Sequence, residues 1–265
     1  MRQFEVTVRA DKFFSEKYGS RTKAKEALER GEVLLNGKPL SYKAEVFGGE
    51  PFCFVEGTNT FVSNGGYKLE RAIETFQEDV SGKVFADLGA STGGFTHCLL
   101  KRGAKKVYCV DVGESQLAEV LQTDSRVCVM DRTNARYLTA QSFPEQLDGV
   151  VSDLSFISLR LILPSVREIL PEGGKAFVLF KPQFECEGRG IGKSGILPVR
   201  YHAPLLKEFY EFALNLSLAP IGLVNAPVRE KKNIEYVVLL QKGGKAISQE
   251  EFLFRLNNFL SSNSQ

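Results

Sequence analysis

Four charged residues interrupt segments that otherwise have the pattern of apolar strands or helices. They are Lys68, Asp153, Lys181 and Glu235. Lys181 directly follows the apolar run Phe177 to Phe180, where a lysine is costly unless it has a partner or a use. Two carboxylates nearby can balance its charge, and partial desolvation can bring its neutral form within reach. A neutral lysine can act as a general base on a hydroxyl group. The alternative is a structural salt-bridge network at a sheet edge.

The segment from Asp87 to Phe95 follows the apolar run Val84 to Ala86, in the order typical of a strand, a tight turn and a helix whose N-terminus faces a ligand. Ser91 breaks the dinucleotide-binding pattern G-x-G-x-x-G. Asp87 would repel a pyrophosphate but suits the amino group of a ligand such as S-adenosylmethionine, so it favours this methyl donor over NAD. We expect the cofactor to contact Asp87, Gly89, Ala90, Ser91, Thr92, Gly93, Gly94 and Phe95.

Two further aspartates follow the next apolar runs. Asp111 ends the run Val107 to Val110, where an acid can accept hydrogen bonds from both ribose hydroxyls of either cofactor. Asp131 ends the run Val127 to Met130 and can receive an adenine amino group. Because ligands of open α/β sheets bind at the carboxyl ends of strands, the sequence predicts one shared cofactor site. The alternative is that these aspartates only cap turns.

From about residue 61 onward, the pattern alternates between strands and helices. Strands are predicted near 84–88, 106–111, 126–130, 148–153, 175–181, 219–225 and 233–241, and helices near 66–78, 93–102, 115–122, 158–170 and 199–217. This alternation predicts an α/β fold with a doubly wound, largely parallel sheet. The apolar spacing from Glu251 to Leu260 predicts a last helix that docks on the core.

Residues 1–56 are more charged and predict a compact module of short elements. Arg21 to Arg30 has the pattern of a helix capped by Ser20 or Thr22, and Glu32 to Lys38 that of a strand entering an Asn-Gly turn. Lysine and arginine exceed acids by four between residues 9 and 25, which is enough for a phosphate-binding face. The alternative is a solvated helix face. The predicted phosphate contacts are Arg9, Lys12, Arg21 and Lys23.

Composition narrows the class of protein. At 265 residues and 43% hydrophobic content, the chain can hold one large and one small domain. Its net charge of +2 does not by itself indicate nucleic-acid binding. The five cysteines show no C-x-x-C spacing, so we expect buried thiols in a reducing cytoplasm, with neither disulfides nor a metal. There is no recognisable signal peptide, and no apolar run approaches the roughly 20 residues of a membrane span.

Several of these motifs occur together in a known family. The segments 63–69, 87–95, 131–136, 153–158, 181–185 and 233–235 resemble, in order, those of the TlyA group of hemolysin-like ribosomal RNA methyltransferases. The resemblance implies a methyltransferase with an FtsJ-type, Rossmann-like fold, which transfers a methyl group from S-adenosylmethionine to a ribose 2′-hydroxyl. In TlyA proteins this hydroxyl belongs to cytidines of ribosomal RNA. The resemblance also implies a catalytic tetrad of Lys68, Asp153, Lys181 and Glu235, with Lys181 as the base. It also adds Arg132, Asn134 and Asp153 to the expected cofactor contacts.

Residues 9–56 resemble the S4-type RNA-binding domain that precedes the enzyme domain in this family. Arg9-Ala10-Asp11 stands where the family usually has Arg-Leu-Asp, and Asn64 replaces a common arginine. The expected organisation is an RNA-binding domain at 1–56, a linker at 57–62, a methyltransferase domain at 63–245 and a C-terminal helix and tail at 246–265. Expected partners are ribosomal RNA or ribosomal subunits, with no membrane and no metal.

Further residues can face RNA. A glycine-rich basic loop, 188–195, follows Lys181 and carries Arg189 and Lys193, either as backbone contacts or as incidental charges of a flexible lid. Arg229, Lys231 and Lys232 precede Glu235. Core packing is the preferred role for Tyr67 and Phe184, with stacking on a flipped base as the alternative. No role is assigned to His97 or His202, because no ligand spacing surrounds them.

Three rival functions remain open from the sequence. A non-catalytic ribosome assembly factor would keep the fold without the chemistry, but the tetrad and the glycine turn are intact. A membrane-active hemolysin would need a spanning or amphipathic anchor, and the sequence offers neither. An NAD-dependent dehydrogenase would need a hydride-accepting site, which is not evident in the sequence.

Overall fold

The computed structural model describes residues 7–29, 32–36, 38–54, 61–192, 194–227 and 232–262. The chain divides into two compact units, Met1–Thr60 and Phe61–Gln265. Each unit has apolar core residues of its own.

The N-terminal unit is a small α+β module. Its elements are β1 (Val8–Arg9), α1 (Ala10–Phe13), α2 (Arg21–Glu29), β2 (Val33–Leu35), β3 (Lys38–Pro39), β4 (Glu45–Val46) and β5 (Phe52–Phe54). Strand β2 pairs antiparallel with β3 and β5, and β1 pairs with β4. The backbone N–H of Lys23 donates to Oγ of Ser20, so Ser20 caps α2. Asn36 has a left-handed φ of 53°, as the predicted Asn-Gly turn requires, while Gly37 lies outside the described residues.

The second unit is an α/β domain around one seven-stranded sheet. Its elements are α3 (Gly65–Phe76), β6 (Val84–Leu88), α4 (Gly94–Lys101), β7 (Lys106–Val110), α5 (Glu119–Gln122), β8 (Val127–Met130), β9 (Gly149–Ser152), α6 (Leu163–Ile169), β10 (Lys175–Phe180), α7 (Pro182–Glu185), α8 (His202–Asn215), β11 (Leu218–Asn225), β12 (Tyr236–Lys242) and α9 (Gln249–Ser262). The strand order is β11-β12-β10-β9-β6-β7-β8. All pairs are parallel except those of β12 with β10 and β11. The predicted fold class is confirmed.

Helices cover both faces of this sheet. One core cluster joins the sheet to α3 and α4, and the other joins it to α6, α8 and α9. Phe252 and Leu256 of α9 are fully buried in the second cluster, which confirms that the last helix docks on the core. No helix in the described part of the chain has the length and apolar character that crossing a membrane requires.

Several predicted elements differ in their bounds from the structure. The helix expected at 115–122 is only Glu119–Gln122, because Ser115 adopts a left-handed φ of 54° and its N–H donates to Asp131. The helix expected at 158–170 begins as a 3-10 turn, and its α-helical part starts at Leu163 with a proline in its first turn. The strand expected from 233 starts at Tyr236.

Strand direction determines which residues meet at one edge of the sheet. Because β6 to β10 run in parallel, the residues that follow β7, β8, β9 and β10 lie along the same edge. These residues are Asp111, Asp131, Asp153 and Lys181. Strand β12 runs the opposite way, with Tyr236 opposite Phe180, so Glu235 reaches this edge by preceding its strand.

Candidate active site

Two lysines and two carboxylates form a continuous chain of contacts at this edge. Lys181 Nζ lies 2.7 Å from Asp153 Oδ1, and Lys68 Nζ lies 3.3 Å from Asp153 Oδ2. Lys68 Nζ also lies 2.8 Å from Glu235 Oε2. The structure therefore brings together all four residues of the predicted tetrad. Only 6% of the Lys181 side chain is exposed, against about 20% for each of the others.

Close helix packing brings Lys68 to the sheet edge. A Cβ on Gly66 would lie 2.1 Å from the Phe61 ring, and one on Gly94 would lie 2.9 Å from the backbone nitrogen of Gly66. Only glycine permits this approach between the first turns of α3 and α4. Lys68 follows in the same turn of α3, which places its ammonium group between Asp153 and Glu235.

The two central groups of the tetrad stabilise each other's charge. Burial alone would raise the pKa of Asp153, but Lys68 and Lys181 hold it below its ordinary value. Burial alone would lower the pKa of Lys68, but Asp153 and Glu235 raise it above its ordinary value. Lys68 is therefore a fixed cation and Asp153 a fixed anion.

A cavity of about 320 Å³ opens beside the tetrad, a volume in the range of small-molecule sites. Its lining combines the tetrad, the glycine turn and the start of α3: Ser63, Gly65, Lys68, Asp87, Gly89, Ala90, Ser91, Thr92, Gly94, Phe95, Asp153, Ser155, Lys181 and Glu235. Every member of the predicted Asp87 to Phe95 contact set except Gly93 lines this cavity. The cofactor turn and the tetrad therefore share one space.

Asp87 provides an unpaired acceptor in this cavity. It is 1% exposed, and its Oδ2 accepts hydrogen bonds from the N–H and the hydroxyl of Thr96. Its Oδ1 is buried without a partner. Burial raises the pKa of Asp87 to about 7. A buried carboxylate oxygen without a donor fits a cationic amino group, so the donor set fits the amino-acid end of S-adenosylmethionine.

The turn after β6 has the backbone geometry that the glycine pattern predicts. Gly89 has a φ of +80°, and a Cβ there would lie 2.7 Å from Leu154. Ser91 is also left-handed, with a φ of 47°, and its N–H donates to Asp111 Oδ2 at 2.8 Å. Asp111 thus holds the turn in place.

Of the other predicted cofactor residues, Asp153 lines this cavity, whereas Asp111, Asp131, Arg132 and Asn134 lie outside its lining. Both oxygens of Asp111 accept backbone N–H groups, from Ser91 and Gly113, and Asp131 accepts one from Ser115. These contacts are those expected if the two aspartates only cap turns. Each carboxylate oxygen can still accept a second hydrogen bond, which leaves room for a cofactor contact. Arg132 pairs with Glu114, and Asn134 accepts from the N–H of Arg136. Their contacts with a cofactor remain predictions.

Phe156 is a functional candidate that the sequence interpretation missed. Its side chain is 90% exposed, and its φ of 62° is strained for a bulky residue. Its ring packs 5.1 Å from that of Phe184, which Lys181 Nζ faces at 5.7 Å. An exposed aromatic next to the tetrad can stack on a base. Periodicity gives no signal for it, because an exposed phenylalanine and a buried one look alike in a sequence.

Glu185 ends the family segment 181–185, but the sequence interpretation assigned it no role. It is a buried carboxylate on α7, and burial raises its pKa. Its two oxygens accept from the Ser158 hydroxyl at 2.6 Å and from the Leu159 N–H at 2.7 Å. It therefore fastens the end of the loop that carries Ser155 and Phe156.

Some of the predicted RNA contacts lie in the described regions, and others lie outside them. Arg9 and Arg21 both pair with the buried Asp11, each at 3.0 Å, while Lys12 and Lys23 are exposed. Arg189 donates to the Cys186 carbonyl. Lys193, Arg229 and Lys231 lie outside the described residues, and Lys232 is exposed.

The remaining candidates have structural environments. Tyr67 packs edge-on against Phe61 at 5.0 Å. His97 Nδ1 accepts from the Val62 N–H, and His202 lies buried between Tyr236 and the Leu197 carbonyl. Among the described side chains, no group of three or more His, Cys, Asp or Glu residues could hold a metal ion.

Comparisons with known proteins agree with this geometry. The FtsJ-like methyltransferase family matches residues 61–242. A Bacillus subtilis (strain 168) relative, YqxC, provisionally named an rRNA methyltransferase, is 40% identical over 88% of this chain and 84% of its own. The 16S/23S rRNA (cytidine-2′-O)-methyltransferase TlyA of Mycobacterium tuberculosis is 36% identical over 84% of each chain. A solved Streptococcus thermophilus structure, provisionally named a hemolysin, covers 97% of this chain and 98% of its own at 33% identity and a TM-score of 0.73.

Proposed function

The chain belongs to the FtsJ-like methyltransferase family, and from this premise we propose that it transfers a methyl group from S-adenosylmethionine to a ribose 2′-hydroxyl of ribosomal RNA. The observation that carries the proposal is the tetrad of Lys68, Asp153, Lys181 and Glu235 on the wall of the cavity that Asp87 and the glycine turn also line. Donor and acceptor sites then share one space, as a direct transfer requires.

The cofactor half of the cavity supports S-adenosylmethionine. Asp87 would hold the amino group through its unpaired Oδ1, and the turn at Gly89, which lines the same cavity, would lie beside the amino acid. Asp111 and Asp131 would receive the ribose hydroxyls and the adenine amino group, with Arg132, Asn134 and Asp153 as further contacts. When bound, the cofactor supplies a methyl group on a positively charged sulfur.

The contacts of the two lysines suit different roles. Lys68 lies between two carboxylates, which stabilise its ammonium form. Lys181 contacts one carboxylate and the neutral hydroxyl of Ser155. Lys181 is therefore the better candidate for the neutral amine that accepts the 2′-hydroxyl proton while the ribose oxygen bonds to the methyl carbon. Asp153 stabilises the ammonium that forms on Lys181, and Lys68 and Glu235 keep Asp153 ionised and in place.

The substrate follows from the names of the relatives and from the site. YqxC and the M. tuberculosis TlyA carry rRNA methyltransferase names, and the second name specifies cytidine. On this basis we assign a ribosomal RNA cytidine, in the free RNA or in a ribosomal subunit. Phe156, which is exposed, would stack on the extruded base. The N-terminal unit would act as an S4-type RNA-binding domain through Lys12, Lys23, Arg9 and Arg21, and the loop with Arg189 and Lys193 would hold the backbone.

Single-turnover methylation of ribosomal RNA by Lys181 variants tests this proposal. Lys181→Ala should lower the rate by roughly 10²–10⁴-fold, the usual contribution of a general base, while S-adenosylmethionine still binds. Lys181→Arg should also fail, because a guanidinium stays protonated. In the wild type, the rate should rise with pH and then level off.

Lys175→Arg is the matched control, because Lys175 begins the same strand β10 and pairs with Glu78 at its other end. It should methylate at the wild-type rate. Near-normal rates for Lys181→Arg would show that position 181 supplies only positive charge, and the base would then have to be another residue. Mapping the methylated ribose identifies the nucleotide.

A further inference from the structure

The amine of Lys181 has two acceptors of different kinds. Its Nζ lies 2.7 Å from Asp153 Oδ1 and donates to Ser155 Oγ at 2.8 Å. Ser155 is an exposed residue that lines the same cavity. Its hydroxyl carries no charge, so it does little for charge balance beside Asp153, Lys68 and Glu235, the charged groups that reach this amine or its partner.

The number of acceptors matters for the neutral form of the lysine. A neutral amine has two N–H groups and one lone pair in a tetrahedral arrangement around nitrogen. With Asp153 as the only acceptor, one N–H would point to Asp153 and the lone pair could take either of the two remaining positions. With Asp153 and Ser155 both accepting, the two N–H positions are occupied and the lone pair takes the one that remains, toward the cavity that Lys181 lines.

We propose that Ser155 is a positioning residue that fixes the rotation of the Lys181 amine and turns its lone pair toward the substrate hydroxyl. The proposal rests on the proposed role of Lys181 as the base. During the reaction, Ser155 only accepts a hydrogen bond. The proton of the ribose hydroxyl goes to Lys181, and no bond to Ser155 forms or breaks.

The loop around Ser155 is built to hold this position. Glu185 fastens its far end at Ser158 and Leu159, and Glu185 belongs to α7, which begins directly after Lys181. The lysine and its second acceptor are thus tied to the same short helix. Between them, Phe156 keeps its strained left-handed conformation, which the surrounding contacts must maintain.

The test compares Ser155→Ala with Ser155→Thr, which restores the hydroxyl, in single-turnover methylation of ribosomal RNA across pH. Ser155→Ala should lower the rate on the high-pH plateau by about 10- to 100-fold, part of the contribution of a general base, with unchanged S-adenosylmethionine binding. Ser155→Thr should recover most of it. A wild-type plateau for Ser155→Ala would overturn the proposal, because Ser155 would then affect only the protonation of the lysine.

Two further measurements distinguish a positioning role from damage to the loop. Ser158→Ala disturbs the same loop without touching Lys181, and an equal loss of plateau rate there would overturn the proposal in favour of general loop damage. Neutron crystal structures of the wild type and of Ser155→Ala at high pH show the hydrogen positions on Lys181 Nζ and do not depend on turnover. If the Lys181 lone pair keeps its direction without the Ser155 hydroxyl, the positioning role is refuted. Absence of methylation by the wild-type protein would instead refute the proposed function, with the crystal structures still deciding the role of Ser155.

Discussion

Replacing Asp87 with asparagine should change the pH dependence of stability. Asp87 is buried, and its pKa is raised to about 7 from an ordinary value of 3.8. The folded protein therefore holds this proton more tightly than the unfolded chain does, so stability is lost as the pH rises through the window from about 4 to about 7. A pKa difference of this size corresponds to about 4 kcal/mol, as an upper estimate.

Asparagine keeps the bonds from Thr96 through its amide oxygen but cannot ionise. The free energy of unfolding of Asp87→Asn, minus that of the wild type, should therefore grow by up to about 4 kcal/mol between pH 4 and pH 8. The amide NH₂ takes the place of the unpaired oxygen and costs about 1–3 kcal/mol. This cost does not depend on pH, so it shifts the plot of the stability difference against pH without changing its slope. Urea unfolding followed by circular dichroism measures this difference, since the chain has no tryptophan.

The affinity of the wild type for S-adenosylmethionine should rise with pH, whereas its stability falls. In the wild type, affinity should fall by up to about tenfold for each pH unit below 7, because Asp87 must lose its proton to hold the amino group. Asp87→Asn should bind weakly, with little change over the same range. Asp148→Asn replaces an exposed aspartate that bonds to the first residue of the same strand and is the matched control. Parallel stability curves for Asp87→Asn and the wild type would refute the reasoning.

Three further predictions concern cofactor, RNA and strain. Asp111→Ala should weaken S-adenosylmethionine binding by about 1.5–3 kcal/mol for each charge-assisted bond that it removes, and an unchanged affinity in calorimetry would remove Asp111 from the site. Deleting residues 1–60 should preserve cofactor binding and weaken RNA binding. The salt slope should fall by about 0.9 for each duplex phosphate that the truncated protein no longer neutralises, and an unaltered slope would contradict an RNA-binding role for this unit. Phe156→Gly should raise stability by about 1–3 kcal/mol by relieving its left-handed strain, yet slow rRNA methylation. Lower stability in urea unfolding would contradict the strain.

The sheet was predictable because buried strands are continuous apolar runs. The run Val84–Leu88 matches its predicted bounds, and β10 ends one residue before the predicted limit. Helix ends were less predictable, since a hydrogen bond from a distant strand end can stop a helix. The contact between Ser115 and Asp131 has that effect before α5, and the spacing of apolar residues carries no trace of it.

Asp153 and Lys181 were predictable from their places at strand ends, and the family resemblance joined them to Lys68 and Glu235, but the contacts around the tetrad were not predictable. Ser155 and Phe156 belong to a loop whose conformation depends on contacts with separate elements, among them those of Glu185 and Lys181. A count of local charge likewise could not show that Arg9 and Arg21 converge on Asp11. Such contacts depend on tertiary packing, whereas the periodicity of apolar residues in a single sequence indicates only local secondary structure.

The hairpin of β11 and β12 separates the position of a reacting group, Glu235, from the choice of target, so these two properties can evolve independently. The position of Glu235 is set by the ladder beside it: Tyr236 faces both Phe180 and Asn225, and the Ala226 N–H donates to the Glu235 carbonyl at 2.8 Å. A slip of one residue would turn every side chain of β12 to the opposite face, so selection holds this register. The exposed residues Pro227 and Lys232 are not part of this ladder. Changes at these two positions can alter what the enzyme meets at its surface while the reacting groups keep their places, so target choice can diverge without loss of the chemistry.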